Sequence, residues 1–82
     1  MTASDIHATL GELLSRVLER EVTPPADAVL VDLGCDSVRV VELVAELEDR
    51  FDITVPLDQI ARIRTVGEVV DHVHAALAAR AG

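Results

Sequence analysis

Asp32-Leu33-Gly34-Cys35-Asp36-Ser37-Val38-Arg39-Val40-Val41-Glu42-Leu43-Val44 decides how this chain folds. It opens as a tight turn and continues as an amphipathic helix. Gly34 can take a positive φ cheaply, which places the turn there. Asp36 is a good N-cap, because its carboxylate can accept hydrogen bonds from the first free amide N–H groups of a helix. Ser37 then falls at the first helical position. It lies beside those N–H groups and the positive end of the macrodipole, a place suited to a phosphate. Val40, Leu43, Val44, Leu47 and Phe51 follow at helical spacing. They predict a helix from Ser37 to about Arg50 or Phe51 with that stripe buried.

Upstream, Ile6, Leu10, Leu13, Leu14 and Val17 keep the same spacing and predict a helix from about Ser4 to Arg20. Thr2 or Ser4 can cap it, and Glu12 and Glu19 face out. Pro24 and Pro25 cannot continue a helix. The connection from Glu21 to Cys35 is long for a small domain. Val29, Leu30, Val31 and Leu33 are expected to pin it to the core. Downstream, Asp52 to Pro56 reads as an extended connector with Ile53 and Val55 turned inward. Leu57 to about Arg62 reads as a short helix with Ile60 and Ile63 inward. Thr65-Val66-Gly67-Glu68 fits a capping box. It opens a last helix with Val66, Val69, Val70, Val73 and Leu77 on one face, fraying after Ala78. The predicted fold class is all-α, a small bundle of three main helices plus one short helix. It forms a single domain over 1–82 with a folded core from about 4 to 78.

The 82 residues allow one domain and a small core. Half are hydrophobic, which excludes disorder by composition. Phe51 is the one aromatic residue, so the core must be Leu, Val and Ile. The formal net charge is -8, from 15 acids and 7 arginines with no lysine. Such a surface repels nucleic acid and anionic membranes and favours basic protein surfaces as partners. A single cysteine, Cys35, excludes an intrachain disulfide and a thiolate metal cluster. With no histidine near it in sequence, Cys35 reads as a small packed hydrophobe. His72 and His74 are two apart and point to different sides of a helix, so no metal ligand is assigned. Ser37 lacks a Gly-x-Ser-x-Gly elbow, and no catalytic residue is assigned. The N-terminus shows no basic-then-apolar leader, and no apolar run is long enough to span a bilayer. The expectation is a cytoplasmic monomer.

Leu33-Gly34-Cys35-Asp36-Ser37-Val38, followed by Val41-Glu42-Leu43, resembles the phosphopantetheine attachment site of acyl carrier proteins. Leu47-Glu48-Asp49-Arg50-Phe51-Asp52-Ile53-Thr54-Val55-Pro56 and Ile63-Arg64-Thr65-Val66-Gly67-Glu68-Val69-Val70 extend the resemblance over nearly the whole chain. It implies the order and packing of the helices. It also implies that a phosphopantetheinyl transferase attaches the 4'-phosphopantetheine of coenzyme A to Ser37, with Asp36 part of the same site. The terminal thiol of that arm would hold an acyl group as a thioester, and the chain itself would catalyse nothing. The further partners implied are acyl-loading and condensing or tailoring enzymes with basic docking surfaces. Leu47, Ile60, Ile63 and Val70 are the candidates to line an acyl cavity, with an ordinary solid core as the alternative.

Val38, Val41 and Ala45 fall off the buried stripe and lie among Glu42, Glu48 and Asp49. The residues alone leave two readings: a partner surface, or Val38 and Val41 packing on a neighbouring loop. The resemblance favours the partner surface. From Asp36 to Asp58 there are seven acids against two arginines, a net charge of five negative. Such a face steers basic partners at low salt. Glu42, Glu48 and Asp49 are expected to matter for partners and little for stability. Arg39, Ala45 and Leu57 depart from the family's usual residues. They favour a free-standing carrier of polyketide or related specialised biosynthesis. The alternatives are a fatty acid synthesis carrier, a stand-alone aminoacyl or peptidyl carrier of a nonribosomal peptide pathway, and an unmodified helical interaction module. Arg39 in the first turn of a helix costs about 0.3–1 kcal/mol. A pair with Glu42 returns about 0.2–0.5 kcal/mol. Folding therefore does not account for Arg39, and Arg39→Asp is expected to raise the melting temperature.

Overall fold

Thr2 opens the first helix with a reciprocal cap. Its hydroxyl accepts from the Asp5 N–H (3.1 Å), and the Asp5 carboxylate accepts from the Thr2 N–H (3.2 Å). In the computed structural model, which describes residues 2–81, this helix is α1, Ala3–Leu18. It stops two residues before the expected Arg20. Glu19 turns left-handed (φ 56°) and returns its N–H to the last carbonyls. A 3₁₀ turn, Leu30–Leu33, follows the long connection and closes on Gly34 at φ 94°. Then come α2, Ser37–Phe51, α3, Leu57–Ile60, and α4, Val66–Ala81. Pro56 presets α3, which is a single turn and ends two residues short of Arg62. The Thr65–Glu68 capping box forms as the sequence suggests: Thr65 Oγ1 accepts from the Glu68 N–H (3.2 Å) and Glu68 Oε1 from the Thr65 N–H (2.9 Å). Those N–H bonds hold the Glu68 carboxyl below its ordinary pKa. α4 does not fray at Ala78. Arg80 donates to the carbonyls of Phe51 (2.9 Å) and Asp52 (2.7 Å), tying the last turn to the end of α2.

α1 packs against both α2 and α4 and forms the middle of the bundle. Ile6, Leu10, Leu13 and Leu14 meet Leu43 and Leu47 of α2 and Val66, Val69 and Val73 of α4 in one core cluster. Among the described residues this core holds no polar or charged side chain, so hydrophobic burial is the main force holding the three helices together. Ile53, Val55 and Phe51 join it as expected. Val40, Ile60, Ile63 and Leu77 are half-buried and pack on its edge.

The long connection is held only in part as expected. Leu30 is buried and Leu33 half-buried, but Val29 and Val31 are exposed. Leu30 and Leu33 pin the segment to the core as expected, and backbone hydrogen bonds hold it where Val29 and Val31 do not. The Leu30 N–H donates to the Arg64 carbonyl (2.9 Å), Val66 to Ala28 (3.0 Å) and Gly67 to Ala26 (2.7 Å). Val29 and Thr65 thereby form an isolated antiparallel bridge. At the near end, Ser15 Oγ accepts from the Val22 N–H (3.0 Å), His7 Nε2 donates to the Pro24 carbonyl (2.7 Å), and the Arg20 guanidinium bonds the Leu33 carbonyl.

Gly67 is needed for this approach. A Cβ there would stand 3.0 Å from the Ala26 carbonyl oxygen. Gly67→Val is expected to lower stability by about 1–3 kcal/mol through overpacking and loss of the Ala26 bond. Urea unfolding checks this, and an unchanged midpoint would show that the connection yields without cost.

Candidate functional site

The clamp on the long connection sets the position of Ser37. The 3₁₀ turn ends at Gly34, whose N–H returns to the Val31 carbonyl (3.1 Å), and the Cys35 N–H returns to Leu30 (3.0 Å). Cys35 is 2% exposed. Burial, and secondarily the Asp36 charge, pushes its thiol pKa up, which disfavours the thiolate. Asp36 then caps α2: Oδ1 accepts from the Arg39 N–H (3.0 Å) and its carbonyl from the Val40 N–H (2.8 Å). Ser37 follows in the open. The first N–H groups of the helix have no intrahelical acceptor and sit at the positive end of the dipole.

Beside Ser37 runs a groove of about 340 Å³ between the 3₁₀ turn, the start of α2 and the connection into α4. Val31, Val40 and Ile63 contribute apolar wall and Arg64 a cation. No histidine lines it, and one oxygen of the Asp36 carboxylate serves the cap. The site can receive a group at Ser37 and hold it outward. An exposed hydroxyl, uncommitted N–H groups and an apolar groove with one cation fit a phosphate-linked arm.

Val38 and Val41 are 65% and 61% exposed. The reading in which they pack on a neighbouring loop does not hold. Ala45, Glu42 and Asp49 are exposed on the same helix. Two further apolar side chains are open: Val31 at 65% and Leu57 at 83%. Sequence reasoning missed Val31, because it assumed that an apolar loop residue anchors the loop.

Two expected partner residues have structural work. Glu48 is half-buried, and its Oε2 accepts from the Val55 N–H (2.9 Å), bracing α2 against the extended connector. Arg39 donates from Nη1 to the Val17 carbonyl (3.1 Å) and pairs with Glu42 (3.3 Å). The Val17 carbonyl is one of the unpaired ones at the C-terminal end of α1, where a cation is favoured. The expectation that folding does not account for Arg39 is thus overturned.

The structure distributes the four residues expected to line an acyl cavity. Leu47 is in the solid core at 1% exposure. Ile63 lines the groove beside Ser37. Ile60 lines a separate groove of about 320 Å³ with Val41, Ala45 and Leu57. Val70 lines a third with Ala26 and Gly67. Among the described residues no cluster of three or more His, Cys, Asp or Glu side chains could hold a metal ion. Among the same residues no helix is long and apolar enough to cross a membrane.

Residues 8–73 match the family described as "Phosphopantetheine attachment site". An acyl carrier protein of Helicobacter pylori is 45% identical over 69 residues, covering 84% of this chain and 86% of that one. The crystal structure of an acyl carrier protein from Thermotoga maritima superposes with a TM-score of 0.84 at 28% identity, covering 92% and 89% of the two chains. A solution structure of 3-oxo-butyl-ACP, an intermediate mimic from the actinorhodin polyketide synthase of Streptomyces coelicolor, gives 0.71 at 26% identity, covering 95% and 92%. Fold and site thus define a helical domain of the phosphopantetheine-bearing class. The chain belongs to the acyl carrier protein family, whose members carry a covalently attached 4'-phosphopantetheine.

Arg39→Asp removes the bond to Val17 and sets a like charge beside Glu42, while gaining a favourable charge at the start of α2. The lost charged hydrogen bond outweighs the gain, and a net loss of about 1 kcal/mol is expected. That corresponds to a melting temperature lower by about 4–8 °C. A thermal melt checks the sign, and a rise would mean that helix-dipole repulsion dominates.

Proposed function

We propose that this chain is a non-catalytic acyl carrier whose arm is attached at Ser37, serving polyketide or related specialised biosynthesis. The observation that carries the proposal is the exposed Ser37 hydroxyl at the first position of a capped helix, inside the matched segment 8–73. When bound, the arm supplies a terminal thiol that holds the acyl cargo as a thioester. The chain's own residues do the rest. Asp36 keeps the start of α2 in place. Val38, Val41 and Ala45 offer apolar contact, while Glu42 and Asp49 offer charge to basic surfaces. Those surfaces belong to a phosphopantetheinyl transferase and to acyl-loading, condensing or tailoring enzymes. Two observations support the pathway class: the likeness to the actinorhodin carrier, and the apolar groove made by Val41, Ala45 and Leu57 where the family usually has a bulkier residue and an acid. Arg39 no longer supports it, because its bond to Val17 accounts for the residue.

Ser37→Ala is expected to leave the fold intact, because an exposed first helical position tolerates alanine. It should abolish arm attachment, read as intact mass after co-expression with a phosphopantetheinyl transferase. Ser15 is no substitute, since its hydroxyl is bonded to Gly11 (2.9 Å) and Val22. An arm on Ser4 or Ser15 of the variant would overturn the assignment. A wild-type chain that stays unmodified would instead favour a plain interaction module.

The double variant Glu42→Lys, Asp49→Lys is expected to slow arm attachment at low salt and to differ little at high salt. Glu48 is left in place, since its loss would strand the Val55 N–H and confuse stability with docking. Equal rates for variant and wild type at low salt would reduce the acidic face to solvation.

A further inference from the structure

Seven arginines face fifteen acids in this chain. Arg16, Arg20, Arg39, Arg50 and Arg80 each pair or bond within it through their guanidinium groups. Among the described residues Arg62 and Arg64 do not, which is unexpected at a net charge of -8. Arg62 lies in a groove with Glu68 and Asp71, where acids surround it. Arg64 lines the groove beside Ser37.

The backbone of Arg64 is fixed on both sides. Its carbonyl accepts from the Leu30 N–H (2.9 Å), and its N–H donates to Glu68 Oε1 (3.1 Å). Arg64 thus lines the groove on the same clamp that positions Ser37. Each of the two nearby acids has one oxygen engaged by backbone, and the Arg64 charge acts on Glu68 without an ion pair forming. Glu68 Oε1 serves the backbone of Arg64 and Thr65. Asp36 Oδ1 serves the Arg39 N–H. A phosphodiester on Ser37 Oγ would bring a permanent negative charge next to Asp36, which already occupies the positive start of α2. Two anions would then share one helix start, with Arg64, whose guanidinium makes no hydrogen bond or ion pair among the described residues, lining the same groove.

We propose that Arg64 is a positioning residue for the arm: its guanidinium binds the phosphodiester on Ser37 and turns the arm into the groove between the 3₁₀ turn and the connection into α4. The proposal rests on attachment at Ser37. A guanidinium fork suits phosphate oxygens, while an ammonium supplies the charge without the paired geometry. The arm then leaves α2 on the side of Val31 and Ile63, and the exposed face of Val38 and Val41 stays clear for a partner.

The test compares apo and holo protein, with the arm confirmed at Ser37 by mass. In the wild type the Arg64 Nε–H resonance shifts on arm attachment, and that of Arg62 does not. Arg64→Gln leaves the apo melting temperature unchanged and lowers the holo value by about 2–4 °C at low salt. Arg64→Lys recovers part of the loss, and high salt removes the difference. An equal effect of Arg64→Gln on apo and holo protein would make Arg64 merely structural and overturn the proposal. So would an Arg64 resonance that moves only when the arm carries a malonyl group, since the guanidinium would then read a cargo carboxylate. A wild-type chain that takes no arm overturns the Ser37 reading itself, and is distinguished by mass before any melt is run.

Discussion

Three backbone hydrogen bonds, Leu30 to Arg64, Val66 to Ala28 and Gly67 to Ala26, hold the longest connection of the chain against the start of α4. A segment this long loses entropy when it is ordered and has few apolar side chains to repay it. Its polar backbone must also find partners wherever it leaves water. The bridge at Val29 and Thr65 meets both needs. Everything at the site follows along the chain: the 3₁₀ turn, the left-handed Gly34, the buried Cys35, the Asp36 cap and Ser37. The attachment point is therefore coupled to the folding of α4, although the helix that carries the serine is α2.

The bundle divides its labour between apolar burial and cationic struts. Branched aliphatics fill the core, and among the described residues no polar side chain is buried in it. The arginines work elsewhere. Arg20, Arg39 and Arg80 bond main-chain carbonyls at Leu33, Val17 and Phe51, close to where a helix or turn ends. Each supplies a donor to a carbonyl that the helix leaves unpaired. Among the described residues, four surface ion pairs between 3.3 and 3.9 Å add little by comparison.

Much of this was legible because it is local. Thr65 announces its helix through Glu68 three positions on, Thr2 and Asp36 are good N-cap residues, and apolar spacing gives the buried faces. Ser37 was legible for the same reason. The end of α1 at Glu19 was not, since that residue turns left-handed without being glycine; the end of α2 at Phe51 was, although Asp52 turns the chain there in the same way. The Arg39–Val17 and Arg80–Phe51 bonds span 22 and 29 residues, and no spacing rule reports them. Val31 misled because an apolar residue in a loop reads as an anchor, whereas the 3₁₀ turn directs it outward. The groove beside Ser37 joins segments that meet only through the clamp, so Arg64 could not be placed there from the sequence.

Cys35 sits two residues from the serine, and its burial has a chemical consequence. An open thiolate at that point would be a competing acceptor for any activated acyl group held nearby, since thiol exchange needs only a thiolate with access. Here the side chain is 2% exposed although Cys35 borders the groove beside Ser37, and burial disfavours the anion. Packing thus sets the chain's single sulfur against exchange with an acyl load carried beside it.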